Sequence, residues 1–151
     1  MSAPLEGRVA VVTGSSRGIG AAIVQQLALA GASVVINYIT NAHAAHEVAN
    51  AINSTRAGSA IAIQADASTI AGGERLLDEC IRAFGRIDIL VLNAGLAAEC
   101  TLAQAEESFF DSIFDIHVKG PLFLSQAVAG HLQEGTFQAL FVDPFCVVTR
   151  S

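Results

Sequence analysis

An apolar run, Val9 to Thr13, gives way without a linker to Gly14-Ser15-Ser16-Arg17-Gly18-Ile19-Gly20, and apolar residues then resume at helical spacing through Ala22, Ile23, Leu27 and Ala30. The run is bounded by Gly7 and Gly14, the pattern of a strand buried on both faces of a parallel sheet. Gly31 stands where a left-handed helix cap is wanted. Strand, glycine turn and helix therefore follow in immediate succession. In a parallel sheet such a turn lies at the carboxyl ends of the strands, where the helix N-terminus presents unpaired backbone donors; it is an anion site by construction.

The alternation repeats down the chain. Ser33 to Asn37 reads as a second strand, Ala42 to about Ala57 as a helix capped by Thr40 or Asn41, and Ser59 to Gln64 as a third strand. Thr69 to Phe84 is an amphipathic helix with Leu77, Cys80, Ile81 and Phe84 on one face and Gly85 at its end, before a fourth strand from Ile87 to Leu92. Helix is expected again from Glu106 to about Leu132, with a bend near Gly120 and Pro121 because proline lacks a backbone donor. A fifth strand fits Phe137 to Val142; Pro144 interrupts it, and Phe145 to Ser151 form no clear element. Strands alternating with helices predict an α/β fold, a three-layer doubly wound parallel sheet of the Rossmann kind.

Composition narrows the partners. The chain has 151 residues, 52% of them hydrophobic, a formal net charge of -6 and only 8 Lys plus Arg. One core is expected, and a nucleic-acid partner is not, since phosphate neutralisation needs a clustered basic face. No apolar run reaches membrane-spanning length and no leader pattern opens the chain, so a cytoplasmic location is expected. The cysteines, Cys80, Cys100 and Cys146, are odd in number and widely spaced and read as buried structural thiols rather than metal ligands. His43, His46 and Glu47 share a helix face, but spacing without further ligands reads as a solvated surface, and no metal site is expected. Glu106, Glu107 and Asp111 gather near a helix start, where they complement its dipole.

The glycines of the first turn are needed because side chains there would hold a pyrophosphate away from the main chain and the helix away from its strand. The pattern T-G-x-x-x-G-x-G resembles that of the short-chain dehydrogenase/reductase family. Asn93-Ala94-Gly95 after the fourth strand is similar to the family's N-A-G signature, which steadies the sheet and lies against the cofactor ribose. Asp66-Ala67-Ser68 ends the third strand where the family carries an Asp that accepts from the adenine amino group; taken alone, Asp66 reads as a turn or cap residue. Phe114 to Pro121 resembles the family's long-helix segment, with His117 where an Asn normally precedes V-K-G. The resemblance implies cofactor contacts at Gly14, Ser16, Arg17, Gly18, Ile19, Gly20, Asn37, Tyr38, Asp66, Ala67, Asn93, Ala94 and Gly95.

Folds that select NAD usually place a carboxylate at the end of the second strand, on the ribose 2′-hydroxyl. Here that strand ends in Asn37-Tyr38, and Arg17 could meet a 2′-phosphate with a charge-assisted bond. NADP(H) is the expected cofactor, with NAD(H) as the alternative.

The family's chemistry uses a tyrosine as proton donor with a lysine four residues on, and a serine upstream. The sole tyrosine is Tyr38, with Ala42 four residues later, and the sole lysine is Lys119. No catalytic residue is therefore assigned. The resemblance runs from Gly7 to Leu132 and departs near Glu134-Gly135, so residues 1–151 are expected to form a single truncated NAD(P)-binding domain whose residues 135–151 diverge, as if a reading frame or exon had been left. Phe110, Ile113, Phe114, Phe123 and Leu124 cannot all face one core, and some are expected at the surface. Three functions stay open: an NADP-dependent oxidoreductase acting on a carbonyl or secondary alcohol, which would need catalytic groups from elsewhere; a dinucleotide-binding or dimerising module, alone or paired with a full-length relative; and a non-functional truncated product.

Overall fold

The computed structural model describes residues 3–98, 100–131 and 138–141. Five parallel strands, β1 (Val9–Val12), β2 (Ser33–Tyr38), β3 (Ala60–Gln64), β4 (Ile89–Leu92) and β5 (Gln138–Phe141), lie in the order β3-β2-β1-β4-β5. The crossover helices α1 (Gly18–Leu29), α2 (Ala42–Thr55) and α3 (Ile70–Phe84) follow the first three strands. From β1 the chain steps outward through β2 to β3, then returns to the other side of β1 for β4. That reversal leaves a crevice at the carboxyl ends of β1 and β4, the topological switch point where such sheets bind ligands.

Strand periodicity sorts the core into two faces. Val9, Val11, Val35, Ile63, Leu90 and Leu92 pack with Leu76, Leu77 and Cys80 of α3, while Ala10, Val12, Val34, Ile36 and Val91 pack with Val24 of α1 and Ala45, Ala49 and Ile52 of α2. Both faces are covered, which is why the strands read as continuous apolar runs rather than as alternating ones.

Local signals set the boundaries. Asn41 caps α2, its side chain accepting from Ala44 N at 3.0 Å, and Thr69 caps α3 by accepting from Gly72 N at 3.0 Å. Gly31 and Gly85 take the left-handed conformation behind α1 and α3, at φ 102° and 76°. At the foot of β4, Asp88 is buried against Arg8 at 2.9 Å and Arg86 at 2.5 Å, and also accepts from Val9 N at 3.0 Å.

The expected long helix is present but interrupted differently. α4 (Glu107–Phe114) and α5 (Gly120–Ala129) are joined by a turn of π-helix, Asp115–Lys119, in which Gly120 N bonds to Asp115 O. The irregularity therefore precedes Pro121 instead of centring on it. Pro121 cannot donate to the carbonyl four residues back, and the wider turn takes up the change of register. Of the apolar residues expected to compete for the core, Leu124 enters it at 2% exposure, while Phe110, Phe114 and Phe123 are exposed. Phe110 and Phe114 stack on each other with ring centroids 4.1 Å apart. The expectation of buried cysteines holds for Cys80 but not for Cys100, which lies in an exposed loop; Cys146 falls outside the described residues, as do Pro144 and residues 145–151.

Candidate functional site

The crevice is a cleft of about 500 Å³. Its floor is the glycine turn: Gly14, Ser16, Arg17, Gly18, Ile19 and Gly20 all line it. The turn keeps its shape because side chains from neighbouring strands hold it. Ser15 Oγ donates to Val12 O at 2.7 Å and accepts from Asn37 N at 3.0 Å, while Asn37 Oδ1 accepts from Gly14 N at 3.0 Å. On the other side Thr13 Oγ1 accepts from Asn93 N and Ala94 N at 3.0 and 2.9 Å, and Asn93 Nδ2 donates to Thr13 O and Gly14 O at 2.9 and 3.1 Å. These groups are buried, so the net is rigid where a ligand would rest on it.

α1 opens straight onto this floor. Its cap position, Arg17, makes no side-chain bond to the helix, and its first turn carries no acidic residue. α2 and α3 are closed by Asn41 and Thr69; α1 alone of the three crossover helices leaves its first N–H groups to the cleft. A Cβ on Gly20 would lie 2.5 Å from Asn93 Nδ2 and 2.6 Å from Gly14 O, so glycine is what lets the helix seat on the strand. Gly18 is different: its φ is +58°, yet a Cβ there would meet nothing within 4 Å. Its glycine serves the backbone conformation and leaves open space above.

The walls come from three places. Tyr38, Ile39, Thr40 and Asn41 continue from β2, Asn93, Ala94 and Gly95 from β4, and Ala67 and Ile116 complete the lining. Twelve of the thirteen residues expected in the site line the cleft; Asp66 is the exception. Asp66 is a turn residue here, its Oδ1 accepting from Ser68 N at 3.0 Å and Ser68 Oγ at 2.6 Å. Asn37 reaches the cleft, but its amide is spent on the framework: besides holding Gly14 it donates to Ala65 O at 2.9 Å, and the residue is 1% exposed. Ile39, Thr40, Asn41 and Ile116 were not expected. Thr40 and Asn41 announce themselves only as helix caps, and Ile116 only as one apolar position in a long helix.

Electrostatics favour an anion. Arg17 is exposed and makes no ion pair among the described residues, and no carboxylate lines the cleft. Among the described residues no cluster of His, Cys, Asp and Glu could hold a metal ion, and no helix is long and apolar enough to cross a membrane. Burial, with a smaller contribution from Asp88, pushes the Cys80 thiol up to about 12, which removes it from thiolate chemistry.

Comparison with known proteins agrees with this geometry. An oxidoreductase of Methylorubrum extorquens is 44% identical over 131 residues, 87% of this chain and 52% of its own. A hydroxynaphthalene reductase of Aspergillus fumigatus is 41% identical over 132 residues, again 87% of this chain and 48% of its own. A short chain dehydrogenase of Burkholderia cenocepacia, solved in complex with NADP, superposes with a TM-score of 0.87 at 39% identity, covering 91% of this chain and 56% of that one. The chain thus spans about half the length of the curated relatives it matches. The family model for short chain dehydrogenases matches residues 8–138, and the chain belongs to that family of oxidoreductases.

Proposed function

We propose that this chain is the cofactor-binding part of an NADP(H)-dependent reductase or dehydrogenase acting on a carbonyl or secondary alcohol. The observation that carries the reading is the glycine turn, whose uncapped helix N-terminus faces a cleft that, among the described residues, holds an arginine without an ion pair and no carboxylate. In this reading the pyrophosphate rests on Gly14 to Gly20, and the adenosine half lies along the continuation of β2. Arg17 and Thr40 meet the 2′-phosphate, Asp66 and Ala67 border the adenine, and Asn93, Ala94 and Gly95 receive the nicotinamide half. The solved relatives in complex with NADP and NADPH support the phosphate preference. The bound nicotinamide would supply a hydride to a carbonyl carbon, while a proton goes to its oxygen.

That proton needs a donor beside the carbonyl. Tyr38 belongs to the β2 side of the cleft, and Lys119 is paired with Asp115 at 2.5 Å. Neither fits the role, and the donor is assigned to groups outside these 151 residues. Residues 1–151 on their own are read as one domain that binds without turnover. A second reading, a module that also self-associates or pairs with a longer relative, is favoured by the exposed Phe110, Phe114, Val118 and Leu122. The free thiols of Cys80 and Cys100 suit a reducing, cytosolic compartment.

The test is calorimetric titration of the chain with NADPH and NADH beside a Gly18→Asp control. The substitution adds about 1–2 kcal/mol of backbone strain but no clash, and sets a carboxylate over the anion site. Saturable binding, tighter for NADPH and lost in the control, is expected. A folded chain that binds neither cofactor refutes the reading.

A further inference from the structure

Strand β2 ends at Tyr38, yet Ile39, Thr40 and Asn41 continue beyond it as one wall of the cleft. Where they lie is decided at the end of β3. Tyr38 is in register with Gln64, and Ala65 N donates to Tyr38 O at 3.0 Å as the last backbone rung between the two strands. A further rung of a parallel ladder would bring Thr40 N to Ala65 O. That carbonyl takes the Asn37 amide at 2.9 Å, and the chain turns away from β3: Ala42 N donates to Thr40 O at 3.2 Å and Asn41 caps α2. Gln64 extends the hold by one residue. Its Nε2 donates to Ile39 O at 2.9 Å, a side-chain rung just past the end of the strand. Ile63 faces α3, so strand alternation puts Gln64 on the opposite face beside Tyr38, where it is exposed and belongs to neither core cluster.

We infer that Gln64 is a positioning residue that sets cofactor preference: its amide fixes the 39–41 segment where Thr40 meets the 2′-phosphate of NADP(H). The inference rests on the proposed cofactor reading for its functional part and on the Gln64–Ile39 bond for its structural part. Gln64 does not itself line the cleft, so its effect passes through Ile39 and Thr40. NADH carries a hydroxyl where NADPH carries the phosphate, and it draws less on this segment. Losing the tether therefore costs NADPH more than NADH, because a wall that must be ordered on binding subtracts from the contacts it makes. Two substitutions isolate the bond. Methionine matches glutamine in length but has no donor, and asparagine keeps the amide but stops one bond short of Ile39 O.

The experiment compares Gln64→Met and Gln64→Asn with the wild type by calorimetric titration with NADPH and NADH, by amide order parameters of residues 39–41, and by urea melts that check the fold. One neutral hydrogen bond corresponds to a roughly twofold to tenfold change in affinity. In both variants the ratio of NADPH to NADH affinity is expected to fall by that factor, and residues 39–41 are expected to loosen while residues 60–63 and the urea midpoint stay as they were. Order parameters that do not change overturn the inference. So does an unchanged cofactor ratio, whether neither affinity moves or both fall together. If the wild type binds neither dinucleotide, the cofactor reading falls by itself. The order parameters then decide the tether alone: loosening of residues 39–41 in both variants supports it, and no difference overturns it.

Discussion

Replacing Asn37 by aspartate tests whether this position belongs to the framework or to the ligand. In the native protein its amide accepts from Gly14 N at 3.0 Å, donates to Ala65 O at 2.9 Å and lies 3.5 Å from Ile63 O. Asn37→Asp keeps the acceptor but turns the donor into a second oxygen facing two carbonyls. A buried acceptor left unpaired costs about 1–3 kcal/mol, and ionising the new carboxyl there costs more, so it holds its proton to a higher pH in the folded chain than its unfolded value of about 3.9. Below that value both states are protonated, and the carboxyl O–H can donate to Ala65 O in place of the amide, so little stability is lost. Above it the unfolded state sheds its proton first, and stability falls by up to about 1.4 kcal/mol per pH unit until the folded group ionises too. Urea melts at pH 4.5 and pH 7.5 should therefore show a variant only slightly weakened at the lower pH and much weaker at the higher. Tyr38→Asp is the contrasting change, because Tyr38 is half-buried in the cleft wall, with the edge of its ring pair to His46 as its aromatic contact. Because Tyr38 packs on the α1–α2 core, the change should weaken the fold by about 1 kcal/mol with little dependence on pH, and lower NADPH affinity at least tenfold relative to NADH by repelling the 2′-phosphate. An Asn37→Asp protein with native stability at both pH values and improved NADH binding would refute the reasoning.

Gly72→Ala should destabilise by about 2–3 kcal/mol, because its Cβ would lie 1.9 Å from Asp66 O, whereas Gly73→Ala, 3.5 Å from Leu124 Cβ, should gain about 0.5–1 kcal/mol of helix propensity; paired urea titrations check both. Burial raises the Asp88 carboxyl, but bonds from Arg86, Val9 N–H and Arg8 and the Arg86 charge outweigh it, leaving it below the ordinary value. Its stabilisation is therefore present above about pH 3.9 and lost as pH falls through the lowered folded value; Asp88→Asn should cost about 1–3 kcal/mol at pH 7 and flatten the acid limb of the stability curve. Alkylation mapped by mass spectrometry should modify Cys100 in the native protein and Cys80 only after unfolding, a contrast that native labelling of Cys80 would overturn.

Much of this was legible because the signals are local. The strands are continuous apolar runs, Thr69 and Gly85 bracket α3, and the glycine turn sits where β1 ends. Other features depend on what lies across space. The π turn at Asp115–Lys119 leaves no side-chain pattern beyond Pro121, so the sequence pointed to the proline and missed the turn before it. The pocket role of Ile116 follows from that turn. Asn37 was readable in principle: it shares Val35's parity in β2, and Val35 belongs to the face covered by α3. Strand alternation thus turns Asn37 toward the framework and Tyr38 to the opposite face, a distinction that motif matching passes over.

The division within the site is also a division along the chain. Each side-chain bond that shapes the glycine turn joins residues between Val12 and Ala94: Ser15 with β1 and β2, Asn37 with the turn and the end of β3, Thr13 and Asn93 with β1 and β4. β5 adds its register with β4. An anion site built this way is preorganised by the first four strands, since its donors are backbone N–H groups held by partners already in place. Under the proposed function, binding of the dinucleotide and delivery of the proton are then separable properties. The first rests on buried hydrogen bonds within these residues, and the second on a group that the proposed reading assigns outside them.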